Sequence, residues 1–103
     1  LSREDGKIDW SQDAKTIDQK IRAYTPWPGT WTVWNIRNTE VQVKIFRTIL
    51  SPQTTSSPIG IPTLFEGKLL VNTGASSSLQ ILEVQPAGGN RMTGEAFARG
   101  YLK

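Results

Sequence analysis

Asp5 and Asp9 lie close together in an acidic, turn-rich start. A carboxylate pair at such spacing is a candidate for acid and base work or for a hard-cation site. Carboxylates in segments of this kind more often cap turns or face water. The chain has no histidine and no cysteine, which removes Ser/His and Cys/His nucleophile pairs and nearly every metal site built on imidazole or thiolate. Ser11, Ser51 and Ser76 to Ser78 therefore have no activating base beside them. Catalysis would rest on Asp, Glu, Lys or Tyr alone, so no catalytic, cofactor-binding or metal site is expected in this chain.

Basic residues interleaved with aromatics form the second constellation. Arg22, Arg37, Lys44, Arg47, Lys68 and Arg91 are spread over the sequence and could converge on one side of a small barrel. Barrels of that type commonly bind nucleic acid with a strand face and its flanking loops. Arg22, Lys44, Arg47, Lys68 and Arg91 are the candidate nucleic-acid-binding residues. Charge is unevenly divided: residues 1–18 carry three basic and five acidic side chains, a balance of −2, while residues 19–103 carry nine and four, a balance of +5. A basic body suits a polyanion, because each neutralised phosphate releases counterions. Gly88-Gly89-Asn90-Arg91 offers amides and a guanidinium to a phosphate but lacks the full spacing of a phosphate-binding loop, and reads first as a connection.

The elements that position these residues follow from local pattern. Asp5-Gly6 marks a turn and Lys7 to Trp10 a short extended lead-in. Ser11 is the expected N-cap of an amphipathic helix over 11–24, with Asp13 in its first turn and Ala14, Ile17, Ile21 and Tyr24 on one face. Lys15, Asp18, Gln19 and Arg22 then face mostly toward solvent. Pro26 and Pro28 stop this helix and bias Thr25 and Trp27 to extended backbone, with Gly29 launching the next element. Trp10, Pro26, Trp27, Pro28 and Gly29 are expected to be structural anchors, Trp27 as the packing anchor of the joint.

Thr30 to Ile36 is rich in aromatic and β-branched residues, and Glu40 to Phe46 alternates with Val41, Val43 and Ile45 on one face. The two predict an antiparallel hairpin. Ser51 to Pro62, with three prolines, predicts a mobile loop. Lys68 to Thr73 and Leu79 to Val84 predict further strands around a polar turn over Gly74 to Ser78, and Thr93 a cap for a last helix carrying Phe97 and Tyr101. About five strands with one covering helix close most readily as a mainly β, oligonucleotide-binding-type Greek-key barrel over 30–103.

At 103 residues this is one domain, and its four tryptophans, each able to bury roughly 200 Å², fall in the first third. Cysteine absence fits a reducing compartment. No apolar run is long enough to span a bilayer, the polar start is not a signal peptide, and the lack of an initial methionine suggests an excised fragment.

The order of motifs is specific. Glu4-Asp5-Gly6-Lys7-Ile8-Asp9-Trp10, Ile17, Ile21-Arg22-Ala23 and Pro26-Trp27-Pro28-Gly29 resemble the start of the C-terminal domain of methionyl-tRNA formyltransferase. Gly67 to Val71, Thr73-Gly74, Leu79 to Leu82 with Gln85-Pro86, Arg91-Met92, Phe97 and Gly100 continue the likeness over almost the whole chain. The resemblance implies an accessory domain of oligonucleotide-binding type that holds initiator methionyl-tRNA. It also implies a separate N-terminal catalytic domain in cis, which binds 10-formyltetrahydrofolate and carries an Asn, His and Asp set, absent here. A cytoplasmic monomer in translation initiation is expected. Where the family has a more basic segment before Arg-Met, this chain has Gly88-Gly89-Asn90, so only Arg91 carries over. Similar domains in formyltransferases acting on a nucleotide sugar or on folate make a structural module packing on the catalytic domain the alternative.

Overall fold

The computed structural model describes residues 2–103. A 3-10 turn over Arg3–Gly6 leads to helix α1 (Ala14–Tyr24), strands β1 (Thr30–Ile36), β2 (Thr39–Leu50), β3 (Pro62–Phe65), β4 (Lys68–Thr73), β5 (Ser77–Pro86) and β6 (Met92–Thr93), and helix α2 (Gly94–Tyr101). The sheet runs β1-β2-β5-β4-β3, all antiparallel, with β6 added to β5. Strands β2 to β5 in the order β2-β5-β4-β3 make a Greek key. Phe46 is an extra residue between the pairs Ile45–Val84 and Arg47–Glu83, and the register shifts again before Thr48–Ile81. Such bulges bend and twist a sheet, and this one curls into a half-barrel of the oligonucleotide-binding type. Among the described residues no ladder joins β3 to β1. Side chains bridge that side instead: the Trp34 ring of β1 lies 5.6 Å from Phe97 of α2, and its Nε1–H donates to the Gly60 carbonyl before β3 at 3.0 Å.

The hairpin follows from pattern as expected, with Val43 and Ile45 fully buried and Gln42, Lys44 and Phe46 on the outer face. Ile17 and Ile21 of α1 meet Val43, Ile45, Leu79, Ile81, Val84 and Phe97 in one core.

Helix α1 begins later than its Ser11 signal. Asp13 is the N-cap, its carboxylate accepting from the Thr16 amide at 2.8 Å, while the Ser11 hydroxyl donates to Asp9 at 2.6 Å. The reason is non-local. The Gly74 amide donates to the carbonyls of Trp10 and Gln12, and a Cβ at Gly74 would stand 1.8 Å from the Ser11 carbonyl oxygen. The backbone of residues 10–13 is therefore committed to the β4–β5 turn before the helix can start. Asp18, expected to face solvent, is 8% exposed; it accepts from the Thr48 hydroxyl at 2.6 Å and pairs with Arg22 at 3.1 Å.

The helix stops at Thr25 as the prolines require. Trp27, however, is 68% exposed and is not the packing anchor of the joint. The joint is held through backbone: the Gly29 amide donates to the Tyr24 carbonyl at 2.9 Å, and a Cβ on Gly6 would lie 2.0 Å from the Gly29 carbonyl oxygen. Lys7 then pairs in parallel with Trp31. The Glu-Asp-Gly and Pro-Trp-Pro-Gly blocks are thus two sides of one contact. Trp10 stacks on Trp34 at 6.1 Å and donates to Thr32 at 2.9 Å.

The segment 51–61 is irregular, as its composition predicts, but it is fastened. Asn72 of β4 accepts from the Thr55 amide and donates to the carbonyls of Thr55 and Ser57. Strand β3, four residues opening on a proline, falls where the sequence reads only as loop and turn. Thr93 caps α2 as expected, accepting from the Ala96 amide.

Candidate nucleic-acid interface

Asp5 and Asp9 of the opening segment each take up a nearby serine. Asp5 accepts from the Ser2 amide at 2.7 Å, and Asp9 accepts from both the hydroxyl and the amide of Ser11. Those Ser11 bonds hold the Asp9 carboxyl below its usual range. Among the described residues no cluster of three or more His, Cys, Asp or Glu could hold a metal ion.

The basic residues sort into a connected group and two outliers, Arg22 and Arg37. Lys44, exposed on the outer face of β2, stands directly across from Trp31 of β1. Phe46, two residues along the strand, shares that face, because side chains alternate across a strand. These three line a groove of about 230 Å³ together with Arg3 and the Pro26-Trp27-Pro28-Gly29 stretch. A smaller neighbouring recess joins Lys44 and Arg3 to Gln85 and Gly88. The glycine loop after β5 therefore borders the basic face.

Beyond Phe46 the bulge places Arg47 opposite Glu83. Arg91, one residue before β6, lays its guanidinium 3.9 Å from the centre of the Phe46 ring and donates to Glu83 at 3.0 Å. That hydrogen bond, aided by the charge of Arg47, holds the Glu83 carboxyl below its usual range. Lys68 shares a further recess with Arg47. Arg22 lies apart on α1, ion-paired with Asp18, and Arg37 donates to the Lys103 carbonyl.

Two cations of this face carry no signal in the sequence. Arg3 and Lys7 each stand 5.7 Å from the Trp31 ring, within reach of a cation–π attraction. Their segment is net acidic, and contacts with Trp31 bring them to the strand face: the parallel pairing of Lys7, and the indole N–H, which donates to the Arg3 carbonyl at 2.8 Å. Half-buried Trp31 and Phe46 with cations over their rings, beside the exposed Trp27, suit a ligand that offers phosphates, with one aromatic face open to a base.

The family model of the formyl transferase C-terminal domain matches residues 1–102. This chain belongs to that family. The formyl transferase C-terminal domain described here is 41% identical over 101 residues to a methionyl-tRNA formyltransferase of Chloroflexus aurantiacus, an alignment covering 97% of this chain and 31% of that protein. It is 34% identical over 100 residues to the methionyl-tRNA formyltransferase of Bacillus subtilis, again over 97% of this chain and 31% of the relative. The domain thus spans about a third of the length of the curated relatives it matches. Among solved structures, HypX from Aquifex aeolicus, in complex with tetrahydrofolic acid, superposes with a TM-score of 0.72 at 19% identity, over all of this chain and 18% of HypX. At that identity the likeness speaks for the fold alone.

Proposed function

We propose that this chain is the tRNA-binding accessory domain of a methionyl-tRNA formyltransferase, the enzyme that formylates initiator methionyl-tRNA with 10-formyltetrahydrofolate. In this reading it does no chemistry itself. The folate donor and the formyl transfer belong to a catalytic domain in cis, and the domain works as a cytoplasmic monomer that fixes the tRNA. The observation that carries the reading is the outer face where Lys44 lies across from Trp31 and beside Phe46, with Arg3, Lys7, Arg47 and Arg91 around them. That the relatives are named as methionyl-tRNA formyltransferases supports tRNA as the polyanion. Contacts of this kind go to phosphates and position the nucleic acid, leaving sequence choice to other parts of the protein.

A titration of the 103-residue chain with initiator tRNA at several salt concentrations tests it. Affinity is expected to fall steeply as salt rises, and Lys44→Glu to weaken binding by roughly ten-fold or more at low salt, since a charge reversal removes one phosphate contact and adds a repulsion. Absent or salt-insensitive binding by the folded chain overturns it. That outcome favours the second reading, a structural module packed on the catalytic domain of a formyltransferase acting on a nucleotide sugar or folate. The exposed Ile49, Leu50, Ile59 and Ile61 are the observation behind that alternative.

A further inference from the structure

We infer that Arg47 and Arg91 form a phosphodiester-binding site whose resident counter-ion is the carboxylate of Glu83, which an incoming phosphate must displace. The inference rests on the tRNA-binding reading only for the source of the phosphate. Three features build the site. The β2 bulge at Phe46 sets Arg47 opposite Glu83. The Arg91 guanidinium lies over the Phe46 ring, its central carbon 3.9 Å from the ring centre, while its terminal Nη2 remains to donate to a neighbouring oxygen. Glu83 accepts from that nitrogen at 3.0 Å, with the two side chains 52% and 29% exposed, so the pair is open to exchange with solvent anions.

A planar guanidinium presents its donors in a fork that suits carboxylate and phosphate oxygens alike. The internal carboxylate therefore occupies a position that a phosphate oxygen would take. Two cations facing one anion leave the cluster a net positive charge, so a phosphate is attracted even while Glu83 is in place. Once the phosphate binds, Glu83 becomes a like-charged neighbour and swings toward water. Glu83 thus lowers the affinity of the site and, in the free domain, keeps Arg91 in place over the Phe46 ring.

Glu83→Gln separates these effects, because the amide keeps the size and the acceptor oxygen but removes the charge. Initiator tRNA binding is expected to tighten by about two- to five-fold at low salt, the range of an exposed ion pair. The gain should shrink in an Arg91→Ala background. A parallel titration with inorganic pyrophosphate, read by the side-chain Nε–H resonances of Arg47 and Arg91, is expected to move both, at lower ligand concentration in Glu83→Gln. Resonances that stay fixed in both proteins, or an equal tRNA gain with and without Arg91, overturn the site and leave the tRNA reading to Lys44 and its neighbours. Resonances that move in a chain that binds no tRNA uphold the site and overturn the tRNA reading.

Discussion

Trp34 and Trp27 are the same side chain in opposite circumstances. Trp34 is 3% exposed, packed between Trp10 and Phe97, with its indole N–H satisfied by the Gly60 carbonyl. Removing it opens a cavity and leaves that carbonyl without its donor, a loss of about 3–5 kcal/mol for Trp34→Ala. Trp27, 68% exposed, has little apolar area to lose, and Trp27→Ala is expected to stay within about 0.5 kcal/mol. Urea unfolding midpoints of the two variants measure the difference, and similar losses would contradict the packing described. Proline on each side restricts the backbone of residues 25–28, which is readable from residue type. Whether the indole between them meets a core is decided by what stands opposite, and here the lead-in closes on the Gly29 backbone instead. The exposure that makes Trp27 inert for stability leaves its face free at the rim of the groove.

At the scale of elements, the close backbone contacts decide where secondary structure starts. Gly74 has an ordinary backbone conformation for any residue, yet a Cβ there would lie 1.8 Å from the Ser11 carbonyl oxygen and 2.7 Å from its carbon. Neither neighbour is a flexible side-chain end. Gly74→Ala is therefore expected to push the 10–13 segment off the β4–β5 turn and to destabilise the domain by at least about 2 kcal/mol, as overpacking against a fixed neighbour does. Thermal unfolding checks this, and a near-neutral result would mean that the turn is free to move. The same contact explains which boundaries the sequence shows. The α1 stripe of Ala14, Ile17 and Ile21 and the Thr93 cap are legible because their partners are three or four residues away. The start of α1 at Ala14 is not, because Ser11 is an equally good local cap and the contact excluding it lies more than sixty residues along the chain. Strand β3 is illegible for a related reason: its four residues gain their order from pairing with β4 rather than from a period of their own. Of the candidate site, Lys44 is legible from alternation and charge, whereas alternation alone would turn Arg47 to the face of Val43 and Ile45 and only the Phe46 bulge resets it. Arg3 and Lys7 join the face through contacts with Trp31.

Over the whole molecule, net charge and charge placement make different demands on a polyanion, and two substitutions distinguish them. Lys44→Ala and Arg22→Ala each take the chain from a formal +3 to +2. A tRNA attracted only by the overall field would respond equally to both, because long-range potential depends on the sum of charges. Lys44, however, lies on the strand face among Trp31, Phe46 and Arg3, whereas Arg22 sits outside the groove and is already paired with the nearly buried Asp18 at 3.1 Å. A cation that touches a phosphate contributes about 0.9 to the slope of log affinity against log salt on duplex nucleic acid. Lys44→Ala is therefore expected to reduce that slope by about 0.9 and to weaken binding at low salt, while Arg22→Ala changes the slope by less than half as much. Salt titrations of both variants against initiator tRNA supply the comparison, with circular dichroism confirming that the loss of the Asp18 partner leaves Arg22→Ala folded. Equal slopes for the two would mean that the strand face is not the surface the tRNA meets, and that binding follows the diffuse charge of the domain.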